Sequence, residues 1–268
     1  MENSKHKLKY FYEHLYSKDQ IINPALLIYD RLRINKIINS LSYHYSTGRI
    51  LIIGCGAKND VELLDQISTS FAFDLSYNAI KNIKTVDRKL FVADATNMPL
   101  ANDKFDIVVM WEVIEHIPEG SIVVREISRS QKPLGKLILS TPNWISWFGL
   151  ARWISKVVLN KEITSDNQPY DDWKTITKLK KELAPYFTLL CSSGIWYLPP
   201  LHYKKYGLSK KSMKILFKIF SPIENFLSRK FPHIGHLLFT VFVNNKWQRF
   251  VQIKKMIYFD HSTKKGRM

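Results

Sequence analysis

Two glycines and two aspartates have a spacing that suits nucleoside recognition. Gly54 and Gly56 follow the apolar run 50–53, where they would let the backbone approach a ligand closely beside a helix N-terminus that favours an anion. Asp74 ends the next apolar run, and a carboxylate there can accept both hydroxyls of a ribose. Asp94 ends a third run and could accept a hydrogen bond from an adenine amine. A Gly-x-Gly turn alone is common, so the interpretation depends on all three features in order.

These residues need a scaffold that brings strand ends together. From residue 49 to residue 143, short apolar runs alternate with amphipathic stretches of helical length, a pattern typical of strands buried on both faces of a parallel sheet. Strands are predicted at 50–53, 70–73, 90–93, 105–111, 134–140, 187–197 and 234–243, and helices at 5–45, 61–67, 77–83 and 117–130. The core is therefore predicted to be a doubly wound α/β sheet, whose ligands bind at the carboxyl ends of the strands.

Composition narrows the class of protein. The chain has 268 residues, of which 46% are hydrophobic and 24% charged, as in globular domains. The sequence has no run of 18 apolar residues, so a transmembrane helix is not expected. The N-terminus lacks the apolar core of a signal peptide, and we therefore expect a cytoplasmic protein. Only two cysteines occur, Cys55 and Cys191, which argues against a disulfide scaffold or a four-cysteine zinc site. No cluster of His, Cys and Asp suggests a metal.

Positive charge is concentrated near the C-terminus. Residues 201–268 hold 15 basic and two acidic residues, a net +13 of the chain's +17. Such a segment suits phosphate on nucleic acid, anionic lipid or a phosphorylated substrate. A solvated basic surface is the alternative.

Two amphipathic segments bear on the choice between these partners. In 144–159, eleven of 16 residues are hydrophobic, three of them tryptophan, while Ser146, Gly149, Arg152 and Lys156 form a narrow polar stripe. This segment is either a buried lid helix or a helix in the membrane interface, with Arg152, Lys156 and Lys161 reaching phosphate. In 208–220, lysines share one face and apolar side chains the other, which suits an anionic membrane surface or a solvated helix. Together the two segments favour peripheral membrane association.

Five motifs in order give the chain a family resemblance. Between about residues 49 and 143 it resembles the class I S-adenosylmethionine-dependent methyltransferases, especially the small-molecule and lipid methyltransferases of type 11. The motifs are Gly54-Cys55-Gly56, Asp74-Leu75-Ser76, Asp94-Ala95, the strand-four segment 105–117 and the strand-five segment 134–143. The resemblance implies a Rossmann-like seven-stranded sheet with the last strand antiparallel, and S-adenosyl-L-methionine as the cofactor.

The resemblance also implies contacts for individual residues. Gly54 and Gly56 would lie at the methionine moiety and Asp74 at the ribose, and Cys55 and Leu75 would also belong to the cofactor-binding residues. The remaining cofactor contacts would be Asp94 and Ala95 at the adenine, and Trp111 and Glu112 beside the cofactor at the end of strand four.

Two positions depart from the family pattern. Ile52 stands where an acidic residue usually helps to hold the methionyl amine, and Lys58 replaces the third glycine of the loop. Asn59, Asp60 or Glu112 could take over the amine contact. A Rossmann dehydrogenase fits poorly, because its third glycine would fall at position 59.

A base is needed if the methyl acceptor is a protonated oxygen or nitrogen. His116, just past strand four, is the best-placed candidate, although it could instead cap or pack against the following helix. Weaker candidates are Tyr12, His14, Tyr170 and Asp171.

The sequence thus predicts methyl transfer to a small or lipid-linked acceptor, such as a glycan-lipid intermediate or a quinone. An RNA methyltransferase and an inactive binding module are the alternatives; nucleic acid is the less favoured partner because RNA-recognition, KH and zinc signatures are absent. We expect an N-terminal helical flap (1–45), a cofactor-binding core (46–143), an apolar lid or insertion (144–185), the C-terminal part of the sheet with a basic helix (186–249) and a basic tail (250–268). The oligomeric state stays open.

Overall fold

A computed structural model of the chain describes residues 2–17, 48–56, 70–81, 83, 89–161, 168–197 and 210–247. The predicted helix at 61–67, the basic tail 250–268 and residues 18–45 of the flap lie outside these ranges, as do Lys58, Asn59 and Asp60. The predicted division into five segments stays a prediction.

Seven strands form one sheet in the order β3-β2-β1-β4-β5-β7-β6. They are β1 (Ile50–Ile53), β2 (Ser70–Asp74), β3 (Lys89–Val92), β4 (Phe105–Trp111), β5 (Gln131–Pro142), β6 (Phe187–Ile195) and β7 (Leu237–Asn244). Neighbouring strands from β3 to β5 are parallel, whereas β7 runs antiparallel to both β5 and β6. This confirms the predicted Rossmann-like sheet with an antiparallel last strand.

The core lies on both faces of the sheet. In β1, Ile50 and Ile52 pack into one apolar cluster while Leu51 and Ile53 pack into another. All four are at most 2% exposed. Fully burying such a side chain stabilises the fold by about 1.5–3 kcal/mol, which explains why this strand is a continuous apolar run.

Helices cover the sheet and cross one of its edges. They are α1 (Glu2–Leu15), α2 (Tyr77–Ile80), α3 (Gly120–Ser130), α4 (Trp147–Val158), α5 (Ile176–Leu183) and α6 (Lys210–Lys230), with a 3₁₀ turn at Ile114–His116. The helix predicted at 117–130 begins at Gly120, because the chain first completes the 3₁₀ turn. Among the described helices, none has the length and apolar composition to cross a bilayer.

The start of α4 is fixed by local hydrogen bonds. The side chain of Ser146 accepts a hydrogen bond from Gly149 N at 3.1 Å and donates one to Asn143 O at 2.7 Å. Such an N-cap satisfies one of the backbone donors left open at a helix start. The helix therefore begins directly after the carboxyl end of β5, beside the edge where ligands are expected.

Candidate active site

The glycine turn after β1 has a backbone that only glycine adopts easily. Gly54 and Gly56 have φ angles of 66° and 50°. The amides of Gly54 and Cys55 both donate to Phe73 O, at 2.9 and 3.1 Å, which ties the turn to the end of β2. A Cβ on Gly54 would lie 2.4 Å from Val113 Cγ2. Space and backbone conformation therefore both exclude a larger residue at position 54.

Asp74 is buried at the end of β2 and organises the same turn. Its Oδ2 accepts a hydrogen bond from Gly56 N at 2.9 Å, and its Oδ1 accepts one from Ser76 N at 3.0 Å. Burial raises the pKa of this carboxyl, although the backbone hydrogen bonds from Ser76 and Gly56 act against the rise. Leu75 N is a third backbone donor to this carboxylate, which leaves it acceptor capacity for a ribose hydroxyl. Leu75, the next residue, is half-buried.

Asp94, just beyond β3, is held by hydrogen bonds from α1 and from its own turn. Its Oδ1 accepts from Thr96 N at 2.8 Å and from the Thr96 hydroxyl at 2.7 Å, and its Oδ2 accepts from Lys5 Nζ at 3.2 Å. Burial alone would raise the pKa of Asp94, but the hydrogen bonds from Thr96 and Lys5 outweigh it and lower the pKa. The carboxylate is therefore ionised and able to accept. Ala95 is buried beside it.

Helix α1 crosses these strand ends. Its Lys5 donates to Asp94, and its Glu13 accepts hydrogen bonds from Tyr77 N and Asn78 N, at 2.8 and 3.0 Å. After the helix, the Tyr16 hydroxyl would lie 3.0 Å from a Cβ placed on Gly56. The sequence alone did not single out Lys5, Glu13 or Tyr16, because their partners lie far along the chain.

A row of rings connects the glycine turn with His116. Tyr16 stacks on Tyr12 with ring centroids 6.4 Å apart, and the Tyr12 ring lies 6.5 Å from that of His116. Burial, reinforced by the negative charge of nearby groups, raises the pKa of Tyr12, so its hydroxyl stays protonated and serves as a donor. The predicted base and the predicted cofactor residues are thus brought to the same edge of the sheet.

His116 has one ring nitrogen committed and one facing a carboxyl. Its Nδ1 lies 3.2 Å from the carbonyl oxygen of Tyr170, which can only accept, so Nδ1 carries the proton and Nε2 the lone pair. Nε2 lies 3.8 Å from Glu115 Oε1. His116 is not the N-cap residue of α3, which is Glu119, and the side chain of Glu119 makes no capping hydrogen bond.

Two buried acids flank His116. Glu115 is fully buried, and burial together with the charge of Glu112 raises its pKa well above the ordinary value. Asp171 Oδ1 lies 4.0 Å from His116 Nδ1, and its Oδ2 accepts from Arg152 Nη1 at 2.7 Å. The raised pKa keeps Glu115 uncharged, so Asp171 is the acid that can balance a positive charge on the ring after proton uptake.

The Arg152 guanidinium lies against two indole rings. It lies 5.2 Å from the ring centroid of Trp144 and 4.8 Å from that of Trp173, distances at which cation–π attraction operates. Since Arg152 belongs to α4, this contact connects the helix after β5 to the surroundings of His116.

An aromatic cluster lies beside the ends of β5 and β7. The His236 ring lies 4.2 Å from Phe148, 4.9 Å from Trp196 and 5.2 Å from Trp173, measured between ring centroids. Burial lowers the pKa of His236 to about 4, so the ring is neutral at physiological pH. This cluster supports the inner side of α4.

The remaining predicted residues follow β4. Trp111 is 6% exposed at the end of the strand. Glu112 has a φ of 51°, unusual for a residue with a side chain, and its amide donates to Ser140 O at 2.9 Å. Backbone strain of this kind is often found at functional sites. Among the weaker candidates, Tyr12, Tyr170 and Asp171 do surround His116, whereas His14 is exposed and stacks on Tyr10.

Comparison with known proteins agrees with this geometry. Residues 51–139 match the family model described as a methyltransferase domain. A probable S-adenosylmethionine-dependent methyltransferase of Mycobacterium tuberculosis is 30% identical over 101 residues, 37% of each chain. Residues 51–139 are a methyltransferase domain of the class I, S-adenosylmethionine-dependent type. S-adenosylmethionine is the cofactor of this type of domain, as predicted.

Other matches to the methyltransferase domain are similar in extent. The ubiquinone biosynthesis O-methyltransferase of Rickettsia bellii is 32% identical over 126 residues, 42% of this chain and 50% of that protein. The chain thus matches half or less of these two curated relatives. The crystal structure of N-methyltransferase NodS from Bradyrhizobium japonicum, in complex with S-adenosyl-L-homocysteine, has a TM-score of 0.59 at 14% identity, covering 90% of this chain and 100% of NodS. At 14% identity, the similarity to NodS supports the fold of this chain and nothing beyond it.

Proposed function

We propose that the protein transfers a methyl group from S-adenosylmethionine to a small or lipid-linked acceptor met at a membrane surface, with His116 as the base. The observation that carries the proposal is a row of three rings, Tyr16, Tyr12 and His116, which starts beside Gly56 in the glycine turn. It joins the strand ends that suit a nucleoside to a histidine whose Nε2 carries the lone pair.

The residues of the strand ends fit the cofactor. When bound, S-adenosylmethionine supplies a methyl group on a positively charged sulfur, so the chain needs to bind and orient more than to activate. Asp74 would hold the ribose hydroxyls with its remaining acceptor positions, and Asp94 with Ala95 would hold the adenine. Gly54, Cys55 and Gly56 would let the backbone approach the methionine moiety.

His116 would act on the acceptor. Its Nε2 takes up the proton that an acceptor hydroxyl or amine gives up as its oxygen or nitrogen bonds to the methyl carbon. Nδ1 keeps its own proton directed at Tyr170 O, and the charge that forms on the ring is balanced by Asp171 at 4.0 Å. General-base help of this kind accelerates a reaction by about 10²- to 10⁴-fold.

A quinone-like acceptor with a phenolic hydroxyl is the best supported among the lipid-linked candidates. Methylation of such a hydroxyl needs a base that removes its proton, and His116 can act as that base. The match to a ubiquinone biosynthesis O-methyltransferase supports the same choice over about half of that relative.

The test is transfer of radiolabelled methyl from S-adenosylmethionine to a catechol that carries a short prenyl chain, presented in mixed micelles. We expect labelled methyl ether from the wild type and a large loss of rate with His116→Gln. His14→Gln is the matched control, since His14 is exposed on α1, and it should leave the rate unchanged. Equal rates in wild type and His116→Gln would refute the role of the base.

A further inference from the structure

Helix α4 turns its apolar face away from the protein. Trp147 is 70% exposed and Trp153 is 55% exposed, although tryptophan is usually mostly covered. Six more apolar side chains of this helix and its ends are at least 41% exposed: Ile145, Leu150, Ile154, Val157, Val158 and Leu159. A contiguous apolar surface of this kind is typical of a contact site.

Gly149, Arg152 and Ser155 lie on the inner side of α4 and fix its orientation. Gly149 and Ser155 are the buried residues of the helix. A Cβ on Gly149 would lie 2.0 Å from Trp144 O, so only glycine fits beside the segment that leads into the helix. Arg152, from the same side, pairs with buried Asp171. Rotating the apolar face inwards would break these contacts, so its exposure is built into the fold.

The same surface continues at the end of α6. Asn143 is fully buried, and its side-chain amide donates to the carbonyl oxygens of Ile145, His233 and Gly235, at 3.0, 2.7 and 3.0 Å. This ties the segment between β5 and α4 to the turn before β7. In that turn Phe231 is 49% and Ile234 is 44% exposed.

In the two described segments that carry the apolar surface, 144–161 and 210–247, the charged residues are basic apart from one buried glutamate. No acidic residue occurs from 144 to 161, where Lys156 and Lys161 are exposed. In 210–247 the one acidic residue is Glu224, which is buried and accepts a hydrogen bond from Tyr197 N at 2.9 Å. Seven lysines and arginines occupy the same segment. A partner with negative charge around an apolar interior would complement this surface.

We propose that α4 lies in the interfacial layer of a bilayer that contains anionic lipid. Trp147 and Trp153 then lie at headgroup depth, and the lysines at the ends of the apolar surface reach lipid phosphates. The helix lies along the surface and does not cross it. A second copy of the chain would cover the apolar residues, but it would bring two cationic borders together, which costs free energy.

The membrane contact deepens the proposed function. Its role in catalysis rests on that proposed function, whereas the contact itself does not. The inner side of α4 reaches the base through Arg152 and Asp171, whose Oδ1 lies 4.0 Å from His116 Nδ1. A lipid-linked acceptor would therefore travel a short way from the bilayer to the base. Vesicle binding itself needs neither cofactor nor acceptor.

The experiment measures binding of the full chain to vesicles of phosphatidylcholine alone and of phosphatidylcholine mixed with phosphatidylglycerol. We expect co-sedimentation with the anionic vesicles, reduced by salt. Leu150→Glu should lower the partition coefficient about tenfold or more, because it places a charge in the apolar layer. Leu190→Glu is the matched control: Leu190 is 53% exposed on β6, and the change should leave binding unaltered.

Tryptophan fluorescence locates the contact. Brominated lipid should quench the wild type, and the double variant Trp147→Phe, Trp153→Phe should still bind vesicles with most of the quenching lost. Equal binding by the Leu150→Glu and Leu190→Glu variants would overturn the proposal. So would a dimer in solution that Leu150→Glu dissociates, without vesicle binding by the wild type.

Failure of this proposal and failure of the proposed function are distinguishable. Leu150→Glu should bind S-adenosylmethionine as the wild type does, and Asp74→Ala should bind vesicles as the wild type does. Vesicle binding without methyl transfer would leave the membrane contact standing and refute the proposed reaction.

Discussion

Replacing Asp74 by alanine should weaken cofactor binding by an amount that its contacts allow us to estimate. In the free protein its two oxygens accept from Gly56 N and Ser76 N, and the residue is 7% exposed. Loss of those bonds affects free and bound protein alike, so the dissociation constant reports mainly the missing ribose contacts. An unpaired polar contact costs about 1–3 kcal/mol, which is roughly a 5- to 150-fold weaker affinity for S-adenosylmethionine.

The fold should lose stability by a separate amount. Each backbone donor that stays buried without its partner costs about 1–3 kcal/mol, so we expect the melting temperature to fall by several degrees. Calorimetric titration with S-adenosylmethionine and thermal unfolding measure the two effects independently.

Asp106→Ala is the control for the Asp74 variant. Asp106 also accepts from a backbone amide, that of Arg49, at 2.9 Å, but it lies near the start of β4, at the opposite edge of the sheet. It should lower the melting temperature and leave the affinity unchanged. An affinity for S-adenosylmethionine that is the same in Asp74→Ala as in the wild type would show that the ribose assignment is wrong.

Three further predictions concern the glycine turn, the base and the aromatic cluster. Gly54→Ala should destabilise the fold by about 1–3 kcal/mol in thermal unfolding, since its φ is 66° and its Cβ would lie 2.4 Å from Val113; Gly120→Ala, with its nearest atom at 3.9 Å, should not. His116→Gln should lower kcat about 10²- to 10⁴-fold and leave the dissociation constant of S-adenosylmethionine unchanged, whereas a parallel loss of binding would argue for a structural role. The pKa of His236 is about 4 in the folded state and 6.5 in the unfolded chain. The free energy of unfolding should therefore be constant in this respect above pH 6.5 and should fall by up to about 3 kcal/mol as the pH drops towards 4. Denaturant unfolding of His236→Asn at several pH values should show a shallower decline than the wild type, and parallel curves would contradict the assignment.

The sheet could be predicted from the sequence because burial on both faces leaves a plain signal. The bounds of β1 and β4 match the predicted 50–53 and 105–111, since every residue of β1 and most of β4 is buried. By contrast, β5 begins at Gln131 and not at residue 134, because its first residues are polar and pair at the irregular start of β4. The strand ends that carry Asp74 and Asp94 follow from the same signal.

The parts that could not be predicted depend on contacts between distant segments. Lys5 meets Asp94 across 89 positions of sequence, and Glu13 meets Asn78 across 65, so no local pattern marks either pair. The orientation of α4 is a second case. Its period separates an apolar face from a polar one, but which face points inwards is decided by the Arg152–Asp171 ion pair and the space at Gly149.

Calorimetric titration of the wild-type chain with S-adenosylmethionine tests the central claim most directly. The arrangement of Gly54, Gly56, Asp74 and Asp94 predicts one site with a dissociation constant in the micromolar range, about −8 kcal/mol. The absence of any binding at millimolar cofactor would contradict the account and would leave a methyltransferase fold that has lost its cofactor.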